Sequence, residues 1–236
     1  MMRAYLFMVT LLAVPMQTQP SVKIDHIILG INDLERGVEE FSRLTGVRPA
    51  FGGVHPGRGT HNALASLGDG SYVEIVALNP AEPSQAGATN PMAGLAGMTS
   101  LTPIGWAISS TDLAALKTQA EAAGVTTTQV SPGARRLPDG STLKWMTVGV
   151  TQPAHDWAPF FIQWTDPALQ PARTAPGGCT LTSVALADPS PDALKTLFSA
   201  VGFDMAVTQA EQARMTVTMQ CPKGTVTFQS RTVGAL

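Results

Sequence analysis

Twice along this chain a short apolar strand runs into a helix through nearly the same junction, "INDL" at 31–34 and "STDL" at 110–113. At both junctions a capping side chain precedes a leucine. Each junction opens the same series of elements. In the first, "VKIDHIILGI" (22–31) is apolar and β-branched and predicts a strand. "NDLERGVEEFSRLTG" (32–46) predicts a helix capped by Asn32 or Asp33, with Leu34, Val38, Phe41 and Leu44 as its apolar stripe and Gly46 as its stop. "VRPAFGG", "HNALASLG" and "SYVEIVAL" follow as three short strands between glycine-rich turns. The unit is βαβββ over 22–78.

The second unit spans 101–166. "LTPIGWAISS" is its strand, and "TDLAALKTQAEAAGV" is its helix, capped by Thr111 or Asp112 and ended at Gly124. Strands are expected near 125–131, 142–150 and 159–165, with "LPDGST" as a hairpin turn. After a Pro/Ala/Gly-rich linker (167–178), "CTLTSVALAD" and "SPDALKTLFSAVGF" begin a third, partial βαβββ unit over 178–230. Its helix is expected to take Ser190 as cap and Pro191 in the first turn, with strands near 205–208, 211–221 and 224–229. The predicted class is therefore α+β, tandem βαβββ modules with a third partial copy.

Composition narrows the partners. Of 236 residues, 44% are hydrophobic and only 14% charged, so the chain can bury a proper core. The net charge is −2 and there is no Lys/Arg run, which argues against nucleic acid and for a small-molecule ligand. A homodimer is compatible with these numbers. Residues 1–20 read as an export leader: Arg3, then an apolar run from Ala4 to Val14, then polar residues. Export to the periplasm or the medium is the expectation, with a cytoplasmic protein as the alternative. Cys179 and Cys221 would pair in an oxidising compartment and otherwise stay as buried thiols; their spacing fits no zinc motif.

Strand parity picks out two polar side chains. In the first strand His26 shares a face with Ile24, Ile28 and Gly30, while Ile27, Leu29 and Ile31 point to the helix side. In "SYVEIVAL" Glu74 shares a face with Tyr72 and Val76. Both then face the concave side of a curved sheet. A carboxylate buried alone costs several kcal/mol, so it needs a cation or a hydrogen-bond partner. A divalent metal would serve, and so would a direct His26–Glu74 hydrogen bond. There is no nucleophile elbow and no phosphate loop, and neither cysteine lies near a histidine in sequence.

"IDHIILGINDLERGVEEF", with "FGGVHPGRGTHNALASLGDGSYVEIVA", resembles the glyoxalase-like branch of the vicinal oxygen chelate superfamily. "PIGWAISSTDL", "LPDGSTLKW" and "PFFIQW" extend the resemblance through residues 22–166. It implies two modules forming a U-shaped sheet around a cavity. It also implies a divalent metal (Fe, Mn, Zn or Ni) held by one residue from the first and one from the last strand of each module. Carried over, those residues are His26 and Glu74 in module one. In module two they fall on Gly105, which cannot ligate, and Gln163. His55 or His61 is the expected replacement, giving a set of two histidines and one carboxylate.

Glu74 could double as a catalytic proton shuttle. Arg58, Tyr72 and Phe161 are the expected ligand contacts, while His155 is assigned to a surface loop. The implied activity is a metal-dependent lyase, isomerase or dioxygenase-type reaction on a small molecule; with Gly105 in place, true lactoylglutathione lyase activity is not expected. The alternative is a metal-free, sequestering binding protein on the same fold.

Overall fold

The computed structural model describes residues 21–82, 92–137, 140–152 and 157–231. The proposed leader, His155 and part of the "LPDGST" turn lie outside the described residues. Among the described residues, no helix is long and apolar enough to cross a membrane.

The first module runs β1 (Val22–Gly30), α1 (Leu34–Thr45), β2 (Ala50–His55), β3 (Thr60–Gly68) and β4 (Ser71–Leu78). Of the two cap candidates, Asp33 does the capping: its side chain accepts from the Arg36 backbone N–H. Gly46 ends the helix in the left-handed region, at φ 82°, with its N–H on the Ser42 carbonyl. Gly37 lets α1 lie close on the sheet, since a Cβ there would stand 2.9 Å from Ile31 and 3.0 Å from Ile75. The sheet face beneath carries Ile27, Leu29, Ile31, Val73 and Ile75, all buried, as alternation requires.

The second module repeats the plan with β5 (Thr102–Ser110), α2 (Leu113–Ala122), β7 (Ser131–Arg136), β8 (Thr142–Val148) and β10 (Phe160–Trp164). Between them, β6 (Thr126–Thr127) and β9 (Val150–Gln152) form a small separate ladder. That pair splits the strands expected at 125–131 and 142–150. Asp112 caps α2 through the Ala115 N–H.

The eight principal strands of these two modules make one mixed sheet in the order β2-β3-β4-β1-β5-β10-β8-β7. Each module pairs its first and last strands in parallel, β1 with β4 and β5 with β10, and β1 joins β5 antiparallel at the centre. The sheet curls until its edges β2 and β7 approach, nearly closing a barrel. A Cβ on Gly53 of β2 would lie 3.5 Å from the Arg135 guanidinium of β7.

The linker at 167–178 is strapped to the sheet. It contains a short helix, α3 (Pro171–Thr174), and Ser66 bonds to the carbonyls of Ala172 and Pro176. Beyond it come β11 (Thr180–Asp188), α4 (Asp192–Ala200), β12 (Val207–Gln209), β13 (Arg214–Cys221) and β14 (Gly224–Gln229). The element order of the third repeat is βαβββ, but its strand order is β12-β11-β13-β14, so β11 pairs with β12 and β13 rather than with the last strand.

Ser190 does not cap α4. The cap position falls on Pro191, which has no capping side chain, and the Ser190 N–H is taken by the Asp188 carboxylate. This extra sheet shares the core of the larger one: Phe228 stacks on Phe41 at 6.1 Å, and Phe198 and Phe203 pack on Trp106 at 5.8 and 5.7 Å. Cys179 and Cys221 are buried and joined by a disulfide.

Candidate functional site

The concave face of the sheet encloses a cavity of about 790 Å³, within the range of sites for organic small molecules. His26 and Ile28 of β1, Tyr72, Glu74 and Val76 of β4, and Thr60, Asn62 and Leu64 of β3 line its first half. Parity therefore delivers His26 and Glu74 to the same wall, on adjacent parallel strands.

Glu74 stands between two imidazoles. Its Oε2 is 3.5 Å from His26 Nε2, and its Oε1 is 3.3 Å from His55 Nε2. Asn62 Nδ2 donates to Oε1 at 2.6 Å and lies 3.1 Å from His55 Nε2. Both rings are tied from behind. His26 Nδ1 is 2.7 Å from Asp25 Oδ1, and His55 Nδ1 is 2.8 Å from Thr60 Oγ1. Tyr72 stacks on His26 at 4.6 Å between centroids, and Phe160 meets the ring edge-on at 5.4 Å.

The electrostatics follow from this packing. Burial alone would push the Glu74 carboxyl up. Hydrogen bonds from His55 and Asn62 and the two nearby imidazoles outweigh it and hold the group down at about 2. Burial, then the charges of Asp25 and Glu74, push the Tyr72 hydroxyl well above the usual phenol range. The site thus presents a permanent anion beside a neutral phenol. The Asn62 Oδ1 atom is buried without a hydrogen-bond partner.

Module two supplies no matching charges. Counting back equally from the caps Asp33 and Asp112, His26 corresponds to Gly105 and Ile28 to Ala107. Glu74 sits opposite Ile28, and Phe160 sits opposite Ala107. Phe160, not Gln163, therefore occupies the place of Glu74. Along β10 the cavity receives Phe160, Ile162 and Trp164, while Phe161 and Gln163 point the other way. Gln163 cannot reach the site as a ligand: its Oε1 accepts from the Leu113 N–H at the start of α2. Phe161 is not a ligand contact, because it is wholly buried in the core on the helix side. Both corrections come from a register shift of three residues, an odd number, which turns every side chain over.

Of the two candidate histidines, His55 enters the site. His61 alternates away from the cavity and lies edge-on to Phe51 at 6.4 Å. Arg58 is exposed at the cavity rim. Three residues go unnoticed in a sequence reading. Asn62 carries a signal, a polar side chain at cavity parity in a strand. Asp25 and Arg135 do not. Asp25 should face the helix, but a bulge between Ile24 and His26 lets its buried carboxylate hold His26 and also accept from Trp164 Nε1 at 2.8 Å.

A duplicated βαβββ frame curled around such a cavity defines the vicinal oxygen chelate type of protein. The glyoxalase-like domain family matches residues 24–202, and the chain belongs to it. Among solved structures, a hypothetical protein from Staphylococcus aureus is 16% identical, covers 89% of this chain and 86% of its own, and has a TM-score of 0.61. A Streptomyces coelicolor methylmalonyl-CoA epimerase variant, in complex with 2-nitronate-propionyl-CoA, is 19% identical over 61% of this chain and 97% of its own, with a TM-score of 0.41. The Mn(II)-bound glyoxalase from Novosphingobium aromaticivorans is 10% identical over 88% and 81%, with a TM-score of 0.46. At these identities the likeness is one of fold. The search of curated proteins finds no match.

Proposed function

We propose that this protein is a metal-dependent enzyme acting on an oxygen-bearing small molecule held in the cavity. The observation that carries this reading is the Glu74 carboxylate set between His26 Nε2 and His55 Nε2 at the cavity wall. The donor types suit a divalent ion: two imidazole nitrogens and one carboxylate. Asp25 and Thr60 engage the far nitrogen of each ring, the support that ligating histidines commonly have. Among the described residues no group of three or more His, Cys, Asp or Glu is placed so that it could hold a metal ion as it stands; Glu74 meets each imidazole separately. The fit is therefore one of donor chemistry, with His26, Glu74 and His55 as the holders.

What a bound divalent ion supplies there is Lewis acidity toward a substrate oxygen. The chain's own residues do the rest. Glu74, anionic down to about pH 2, suits a cation's counter-charge. It is a poor proton carrier near neutrality, the second role its sequence position suggests. Of the two imidazoles His55 is the more open, 22% exposed against 3% for His26. Tyr72 offers a neutral hydroxyl, and Phe160, Ile162 and Trp164 give an apolar wall.

A second reading is a metal-free binding protein, favoured by Gly105 and Phe160 at the module-two positions. Metal content per chain separates the two. Near-stoichiometric metal in wild type and little in His26→Ala supports the enzyme reading. Wild type left empty after incubation with Fe(II), Mn, Zn and Ni supports the binding protein. Export remains part of the proposal, supported by the leader-like residues 1–20 and by the Cys179–Cys221 bond; fractionation of the native host tests it.

A further inference from the structure

Arg135 of β7 lines the same cavity, and it makes no hydrogen bond or ion pair with any described residue. It lies against bare backbone of the facing edge strand. A Cβ on Gly53 would make ordinary contact with it, 3.5 Å from Nη1 and 3.7 Å from Cδ, and at φ 143° a residue with a side chain would be strained there. Burial lowers the Arg135 pKa, and the influences of Tyr72 and Glu74 only partly offset this. A cation kept partly out of water, with no anion paired to it among the described residues, is poised for one. Arg58, the other arginine of the cavity, is exposed at the rim and has an interaction of its own.

The remaining wall sets the kind of anion. Leu64, Val76, Trp145, Phe160 and Ile162 give an apolar interior. With Arg58 exposed at the rim, one partly buried guanidinium, in a cavity that also holds the Glu74 carboxylate, matches one negative charge better than two. We propose that Arg135 is the anion anchor of the cavity, and that the ligand is an organic monocarboxylate with an apolar body. Its carboxylate lies on Arg135 and its other oxygen functions lie toward Glu74. This rests on the reading of the cavity as a ligand site, but not on the presence of a metal.

The test is calorimetric titration at pH 7 with three acid and amide pairs: hexanoate and hexanamide, 4-phenylbutyrate and 4-phenylbutyramide, indole-3-acetate and indole-3-acetamide. It is run on the protein as purified and after chelator treatment. In at least one pair the acid should bind about 10-fold tighter than the amide. Arg135→Gln should remove that preference while leaving the amide unchanged. Arg135→Lys should keep part of it, as a point charge without the planar fork. Arg136→Gln, altering the exposed neighbour, should keep all of it. Equal affinity within every pair, no binding of any probe, or a preference that survives in Arg135→Gln overturns the proposal. An acid preference in protein that takes up no metal leaves the anchor standing and removes the metal-dependent enzyme.

Discussion

Trp164 Nε1 donates to Asp25 Oδ2 at 2.8 Å, joining the last strand of the second module to the first strand of the first. The other oxygen of the same carboxylate is held against His26 Nδ1 at 2.7 Å. One buried carboxylate therefore both ties the modules together and orients the site histidine.

Trp164→Phe should leave Asp25 Oδ2 buried without its donor. The expected loss is about 1–3 kcal/mol of folding stability, read from urea denaturation. Asp25→Asn should instead strike His26. If His26 ligates a metal, affinity for it should fall roughly 10–100-fold, measured by competition with a chromogenic chelator. Wild-type metal affinity in Asp25→Asn would falsify the positioning role.

Glu74 sets a pH dependence whose sign is fixed. Its folded-state pKa lies at about 2, below the ordinary 4.5. The metal-free protein therefore holds this contribution in full above pH 4.5 and loses it as pH falls towards 2. At about 1.36 kcal/mol per unit, the contribution is at most about 3 kcal/mol. Urea titrations of wild type and Glu74→Gln at pH 3 and pH 6 should show a smaller stability gap at pH 3. A gap that widens at pH 3 would contradict the assigned direction.

The disulfide should matter more than any single site residue. Cys179 and Cys221 are separated by 42 positions, and closing a loop of that size contributes about 4 kcal/mol by chain entropy. Reduction, or the Cys179→Ala/Cys221→Ala pair, should lower Tm by roughly 8–16 °C. A melting curve indifferent to dithiothreitol would show that the bond adds nothing.

Gln163→Ala probes the register of β10. Its side chain satisfies the Leu113 N–H at the start of α2, so the variant should lose about 0.5–1.5 kcal/mol of stability. Metal content and ligand affinity should match wild type. Lost metal in a fully folded variant would return Gln163 to the site.

Much of the frame is legible in the sequence, because its signals are local. Asp33, Asp112 and Gly46 act at the helix ends where capping chemistry puts them. Alternation within β1 and β4 brings His26 and Glu74 to one wall. What fails to show is set between strands. Aligning "PFFIQW" on "SYVEIVA" misplaces Gln163 and Phe161 by three residues, since register depends on the pairing of β10 with β5 and β8. The Asp25 carboxylate reaches His26 only through a bulge. Arg135 faces the cavity because the sheet curls far enough to bring β7 against β2. The third repeat has the expected element order, yet strand order within its sheet is a matter of packing against α1 and β5, which no short segment encodes.

The central β1–β5 pairing has an evolutionary consequence. It builds the frame twice, while the ionisable cluster sits in one copy only. Substitutions at Ile162 or Trp145 can therefore remodel the far wall at a distance from His26, His55 and Glu74. Such a scaffold can change which molecules it accepts while its polar machinery stays constant, a separation that lets descendants diversify in diet without reinventing their chemistry.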